Sequence, residues 1–112
     1  MRKRTAAVLL ALAIGAIAAL PVLAATPKFN GTVGPGFTIS LAKKPTKAGK
    51  TTFVLNDKSS IHNFRLKGPG VNVATKVPAT GSKSFTVTLK KGKYTFLCDP
   101  HPSSMKGSFT IR

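Results

Sequence analysis

From position 29 onward the chain alternates apolar and polar side chains with a period of two. Phe37, Ile39 and Leu41 alternate with Thr38 and Ser40, Phe53 and Leu55 with Thr52 and Val54, and Phe64 and Leu66 with Asn63 and Arg65. The second half repeats the pattern: Phe85, Val87 and Leu89 against Ser84, Thr86 and Thr88, Tyr94 and Phe96 against Lys93 and Thr95, and Phe109 and Ile111 against Ser108 and Thr110. Successive residues of a strand point to opposite faces, so each run predicts a strand with one apolar face. One of these strands covers residues 61–66, with His62 near its start, and Phe37 falls on the apolar face of another. Gly34-Pro35-Gly36, residues 44–49, Gly68-Pro69-Gly70, residues 78–81 and Lys91-Gly92 supply turn chemistry in the gaps. No helix of ordinary length is expected after residue 28. About seven short strands of this kind predict two sheets packed face to face, a β-sandwich.

The N-terminus follows a different rule. Arg2, Lys3 and Arg4 are followed by an uncharged stretch, apolar from Ala6 to Leu20, then Pro21 and the small residues Ala24 and Ala25. A positive start, an apolar run and a small-residue end form an export signal, with cleavage expected after Ala24. Residues 1–24 are then a signal peptide and residues 25–112 the working domain. The alternative is an uncleaved membrane anchor, since the uncharged stretch reaches the roughly 20 residues that span a bilayer. Either arrangement places the domain outside the cytoplasm, in the periplasm, the cell envelope or the medium. The cleavage region holds no cysteine to carry a lipid.

The charge balance changes the picture of partners. The chain of 112 residues carries 18 Lys plus Arg against 2 Asp plus Glu, a formal charge of +16. Removal of the leader takes Arg2, Lys3 and Arg4 and no acid, leaving +13 on 88 residues. Such a field attracts anionic partners and speeds their encounter; a purely solubilising shell of lysines is the alternative. Export argues against nucleic acid, as do aromatics that alternate onto strand faces instead of lying beside the basic residues. The chain has no Glu, and its only acids are Asp57 and Asp99, so Glu-based acid/base catalysis is excluded and most hydrolase chemistry is disfavoured. One cysteine rules out an intramolecular disulfide. A domain this small has a thin core, burying somewhat over about 60% of its unfolded surface, so a bound ligand would add usefully to stability.

Candidate chemistry is concentrated in four residues. After the leader the chain holds two His, one Cys and one Met: His62, Cys98, His101 and Met105. Cys98 continues the inward alternation of Tyr94 and Phe96, and the segment 98–105 that follows can fold two further donors over it. Two imidazoles, a thiolate and a thioether are the donor set of a blue-copper electron-transfer site, with His2Cys in a plane and a weak axial Met. The thiolate and thioether stabilise Cu(I), while imidazole suits both oxidation states. Zinc would accept Cys98 and both histidines but rarely takes a thioether, which would leave Met105 without a purpose. Each residue alone has a bland reading, an inert core Cys, a gap-filling Met or a polar strand end. The gathering of all four at strand ends favours metal. An exported chain with a free thiol also fits a buried or metal-bound Cys98.

The pair His62-Asn63, the run Gly92-Lys93-Tyr94-Thr95-Phe96-Leu97-Cys98, and the segment from Cys98 through Pro100-His101 to Met105-Lys106-Gly107 resemble the cupredoxin family, in particular its small plastocyanin- and amicyanin-like members. The resemblance extends from Phe29 to Arg112 and is most specific in the last 20 or so residues. It implies a Greek-key β-sandwich of about seven to eight strands, one copper per chain held by His62, Cys98, His101 and Met105, and a role for Asn63 in tying the two ligand loops together. One feature departs from the family. Three residues separate His101 from Met105, against four in plastocyanin-like and two in amicyanin-like loops, which bears on the axial Met105 contact and hence on the potential.

The resemblance further implies a monomeric carrier of single electrons, with the exposed edge of His101 as the exchange point and Pro100, Pro102 and the loops at residues 34–36 and 68–70 as an apolar docking surface. Arg65, Lys67, Lys90, Lys91 and Lys93 would steer an acidic redox partner. A copper carrier without a redox partner is the alternative use of the same ligands. A copper enzyme with a second metal centre would need histidines that the chain lacks beyond His62 and His101, so no enzymatic activity is expected. A metal-free interaction module on the same frame is the remaining reading.

Overall fold

The structure, a computed structural model, describes residues 25–112. The predicted leader at residues 1–24 and its cleavage point lie outside the described residues. Eight strands follow one another: β1 (Lys28–Val33), β2 (Ile39–Leu41), β3 (Gly49–Asp57), β4 (Arg65–Gly68), β5 (Val71–Ala74), β6 (Gly81–Leu89), β7 (Gly92–Leu97) and β8 (Lys106–Ile111). They form two four-stranded sheets, ordered β2-β1-β3-β6 and β5-β4-β7-β8. All pairings are antiparallel except β1 with β3, which run parallel with Val33 opposite Asp57. This is the expected β-sandwich.

The alternation of the sequence produces the core directly. Thr51, Phe53 and Leu55 on β3, Tyr94 and Phe96 on β7, and Phe109 and Ile111 on β8 are buried, while the residues between them are more exposed. Phe53 is the hub, its ring centroid 6.2 Å from Phe29, 5.7 Å from Phe85 and 6.3 Å from Phe109. Phe64 stacks on Phe96 at 5.5 Å and Tyr94 on Phe109 at 5.3 Å. Gly107 faces Phe96 across the β7–β8 pair, and any side chain there would run into the Phe96 ring. The absence of a Cβ thus lets an aromatic ring seat itself two residues before Cys98.

Two expectations from periodicity need correction. Residues 61–66 are not one strand: β4 begins at Arg65, and His62 lies in the connection from β3. His62, Asn63 and Phe64 are buried in succession, which a strand with one wet face does not allow. The connection is held in place by bonds of its own, with the Phe64 N–H donating to Thr75 Oγ1 and the Thr75 N–H to the Phe64 carbonyl, both at 2.9 Å. Phe37 is also not a core residue; it precedes β2 and is 58% exposed.

Tyr94 is fully buried, and its hydroxyl closes the far end of the sheet by accepting the Lys90 N–H at 2.9 Å and donating to the Pro69 carbonyl at 2.8 Å. Tyr94→Phe keeps the ring but leaves both backbone groups without this partner, which costs about 1–3 kcal/mol. A domain of this size should then melt about 4 °C or more lower in a thermal scan. An unchanged melting temperature would show that water replaces the hydroxyl without cost.

Candidate metal centre

Two loops come together at one end of the sandwich. β3 runs to Asp57 and crosses to the other sheet through residues 58–64, while β7 ends at Leu97 and returns to β8 through residues 98–105. The register pairs Arg65 with Leu97, so both loops emerge at the same end. Cys98 takes the next inward position after Tyr94 and Phe96 and is fully buried. Its loop folds back on itself: the Cys98 N–H donates to the Met105 carbonyl at 3.0 Å, the His101 N–H to the Cys98 carbonyl at 3.1 Å, and the Met105 N–H to the His101 carbonyl at 2.9 Å. Met105 is therefore brought back beside Cys98, with its side chain buried.

His62, Cys98 and His101 present donor atoms that all lie within 4.8 Å of one another. The His62 Nδ1 is 3.8 Å and the His101 Nδ1 3.7 Å from Cys98 Sγ. Bonds of about 2.3 Å to sulfur and about 2.0 Å to nitrogen span about 3.7 Å when set 120° apart, so each sulfur–nitrogen distance is the one that a first-row metal held by both atoms would require. His62 and Cys98 are buried and His101 is half-buried, which leaves one imidazole reachable from outside. Exposed Pro100 and Pro102 flank His101. Phe37 stands edge-on to both imidazoles, its centroid 5.4 Å from His62 and 4.9 Å from His101. It thus forms part of the outer cover of the cluster.

The family resemblance implied a role for Asn63 in tying the ligand loops together, and the structure shows how its side chain is bonded. Asn63 Oδ1 accepts the Asp99 N–H at 2.7 Å, and its Nδ2 donates to Asp99 Oδ2 at 2.8 Å and to the Thr75 carbonyl at 3.0 Å. One amide thus bridges the loop carrying His62, the loop carrying Cys98 and the segment after β5. Asp99 is a participant that the sequence reading did not foresee, although one of only two acids placed directly after the cysteine was a visible signal.

Arg65 takes a role different from the expected one. Its Nε and Nη2 donate to the two Asp99 carboxylate oxygens at 2.7 and 2.9 Å, and its Nη1 donates to Asn72 Oδ1 at 2.8 Å. It is a fixed clamp on the ligand loop and not a free steering charge. The Arg65 guanidinium, seconded by the Asn63 amide, holds the Asp99 carboxyl below the usual carboxylate range, and Asp99 in turn raises Arg65. Lys67, Lys90, Lys91 and Lys93 are exposed.

Residues 37–112 match the family described as copper binding proteins, plastocyanin/azurin family. No curated protein matches the chain by sequence. Among solved structures, the chain is similar to auracyanin A, a blue copper protein from Chloroflexus aurantiacus, with 17% identity, 77% of this chain and 99% of that one covered, and a TM-score of 0.53. A reduced auracyanin from Roseiflexus castenholzii shares 21% identity over 80% of this chain and 99% of its own, with a TM-score of 0.56. Reduced rusticyanin shares 19% identity over 80% and 82% of the two chains, with a TM-score of 0.60. The family match takes in β2 through β8 and both loops of the cluster, the donor atoms suit its metal, and the chain accordingly belongs to the plastocyanin/azurin family of copper-binding proteins, the cupredoxins.

Proposed function

We propose that this protein is an exported carrier of single electrons whose one copper is held by His62 Nδ1, Cys98 Sγ, His101 Nδ1 and the Met105 thioether. The observation that carries this reading is the convergence of three donor atoms within 4.8 Å, one from the loop after β3 and two from the loop after β7, whose backbone bonds bring Met105 back to Cys98. Copper in such a donor set supplies a Cu(II)/Cu(I) couple. Cys98 and Met105 favour the reduced ion and the two imidazoles accept both. The Asn63–Asp99–Arg65 network and the turn bonds of residues 98–105 fix these side chains, so that little needs to move when an electron does. His101 is the reachable donor, and the apolar flank of Pro100, Pro102 and Phe37 lets a partner approach it closely. The excess of lysines steers an acidic redox partner. The leader-like sequence of residues 1–24 supports export. The description of auracyanin A as a blue copper protein supports the same chemistry for the fold.

Copper delivery is the competing use of these ligands. Burial of His62, Cys98 and Met105 favours retention of the ion, since little of the donor set is open to a competing chelator. The copper-loaded protein should therefore keep one equivalent of copper through repeated cycles of reduction and reoxidation in the presence of a Cu(I) chelator, as read by the metal content of the desalted protein. Loss of the ion on the first reduction would replace electron carriage by copper delivery.

A further inference from the structure

Among the described residues two buried side-chain polar atoms have no hydrogen-bond partner, Asp57 Oδ2 and His62 Nε2. Such an atom costs about 1–3 kcal/mol, and two in one small domain call for a physical reason. A neutral imidazole has one N–H and one bare nitrogen. With Nδ1 turned to Cys98 as the donor, Nε2 must carry the proton, so His62 offers a buried N–H that lacks an acceptor and Asp57 a buried carboxylate oxygen that lacks a donor. The two needs are complementary.

The backbone places them on the same side. Asp57 ends β3 at an inward position, after Thr51, Phe53 and Leu55, and is 2% exposed. Its Oδ1 accepts the Ser59 N–H at 3.0 Å, and the Ser59 carbonyl accepts the His62 N–H at 3.4 Å, so the chain turns from the carboxylate straight to the imidazole. The ring edge that carries Nε2 faces this turn: His62 Cδ2 and Ser59 Cβ both lie against Gly34, the residue after the Val33 that pairs with Asp57. We propose that Asp57 is the positioning residue for His62, its Oδ2 receiving the His62 Nε2–H through one bridging water and so leaving Nδ1 bare for the metal. This rests on the ligand set proposed above. Burial raises the Asp57 carboxyl above its ordinary value, with the Ser59 N–H opposing the shift.

The test begins on the metal-free protein, where long-range nitrogen–proton NMR correlations report which nitrogen of each histidine carries the proton. His62 should be the Nε2–H tautomer in the wild type. Asp57→Asn keeps one oxygen for the Ser59 N–H and turns an amide donor toward His62. It should move the ring toward the Nδ1–H form and weaken copper binding, measured against a calibrated chelator, about 10- to 100-fold, while the metal-free variant melts no lower than the wild type. Asp57→Ala, which removes both oxygens without adding a donor, should weaken copper binding in the same direction. An Nδ1–H tautomer in the wild type would overturn the proposal without any variant, and so would an unchanged tautomer and affinity in Asp57→Asn. Failure of the wild type to bind copper while His62 remains Nε2–H would instead overturn the ligand set.

Discussion

Addition of Cu(II) to the purified protein should give an intense blue band that is absent from Cys98→Ser at the same copper concentration. The band requires a thiolate bonded to Cu(II), and Cys98 is the chain's one sulfur that can be deprotonated. A serine hydroxyl at that position stays protonated, and it leaves the His62 and His101 nitrogens without the anionic third donor that the trigonal arrangement needs. The expected effect is therefore complete loss of colour and not a shift of the band. The substitution also buries a hydroxyl in an apolar position, so the variant's fold should be checked by circular dichroism before its colour is read. A wild type that binds copper stoichiometrically without colour would mean that the metal sits on the imidazoles alone. Persistence of the blue band in Cys98→Ser would exclude Cys98 as the donor.

The parts of the molecule that were legible in the sequence are those governed by strand period and by rare residue types. Phe53, Leu55, Tyr94, Phe96, Phe109 and Ile111 are inward because alternation is a property of the strand itself, whatever its partners. His62, Cys98, His101 and Met105 stood out because few other side chains in the chain could bind a soft metal. What the sequence hid depends on contacts between distant segments. Asn63 and Phe64 are buried in a connection because Thr75 and Asp99 supply the bonds that a neighbouring strand would otherwise give. Arg65 read as one more surface cation, and only the meeting of residues 34 positions apart turned it into a clamp. Phe37 followed the period of β2 yet sits before that strand begins, where the inward rule no longer applies. Asp57 was legible in principle: it occupies the next inward position after Leu55, but a carboxylate at an apolar position reads as the end of a strand until its burial is seen.

The second large effect joins the core to the site. Phe53→Ala should lower the unfolding free energy of the metal-free protein by about 3–5 kcal/mol, because the ring is fully buried and touches the aromatic cluster of both sheets. In a domain with about 5–15 kcal/mol to lose, that is a melting temperature lower by more than about 10 °C and a measurable unfolded fraction on mild warming. Copper acts in the opposite direction without touching Phe53. The donors are brought together from two loops that unfolding separates, so the ion binds the folded state in preference, and at a free concentration about a thousand times its dissociation constant it returns about 4 kcal/mol. The loaded variant should then melt close to the metal-free wild type. If copper restores Phe53→Ala but fails to restore Phe53→Ala combined with Cys98→Ser, the stabilisation runs through the cluster at the end of the sandwich. Equal rescue of both would place the stabilising metal elsewhere on the chain. No rescue of either would mean that the loops hold their donors together even when the core beneath them is gone, which the short backbone bonds between Cys98, His101 and Met105 would have to accomplish alone.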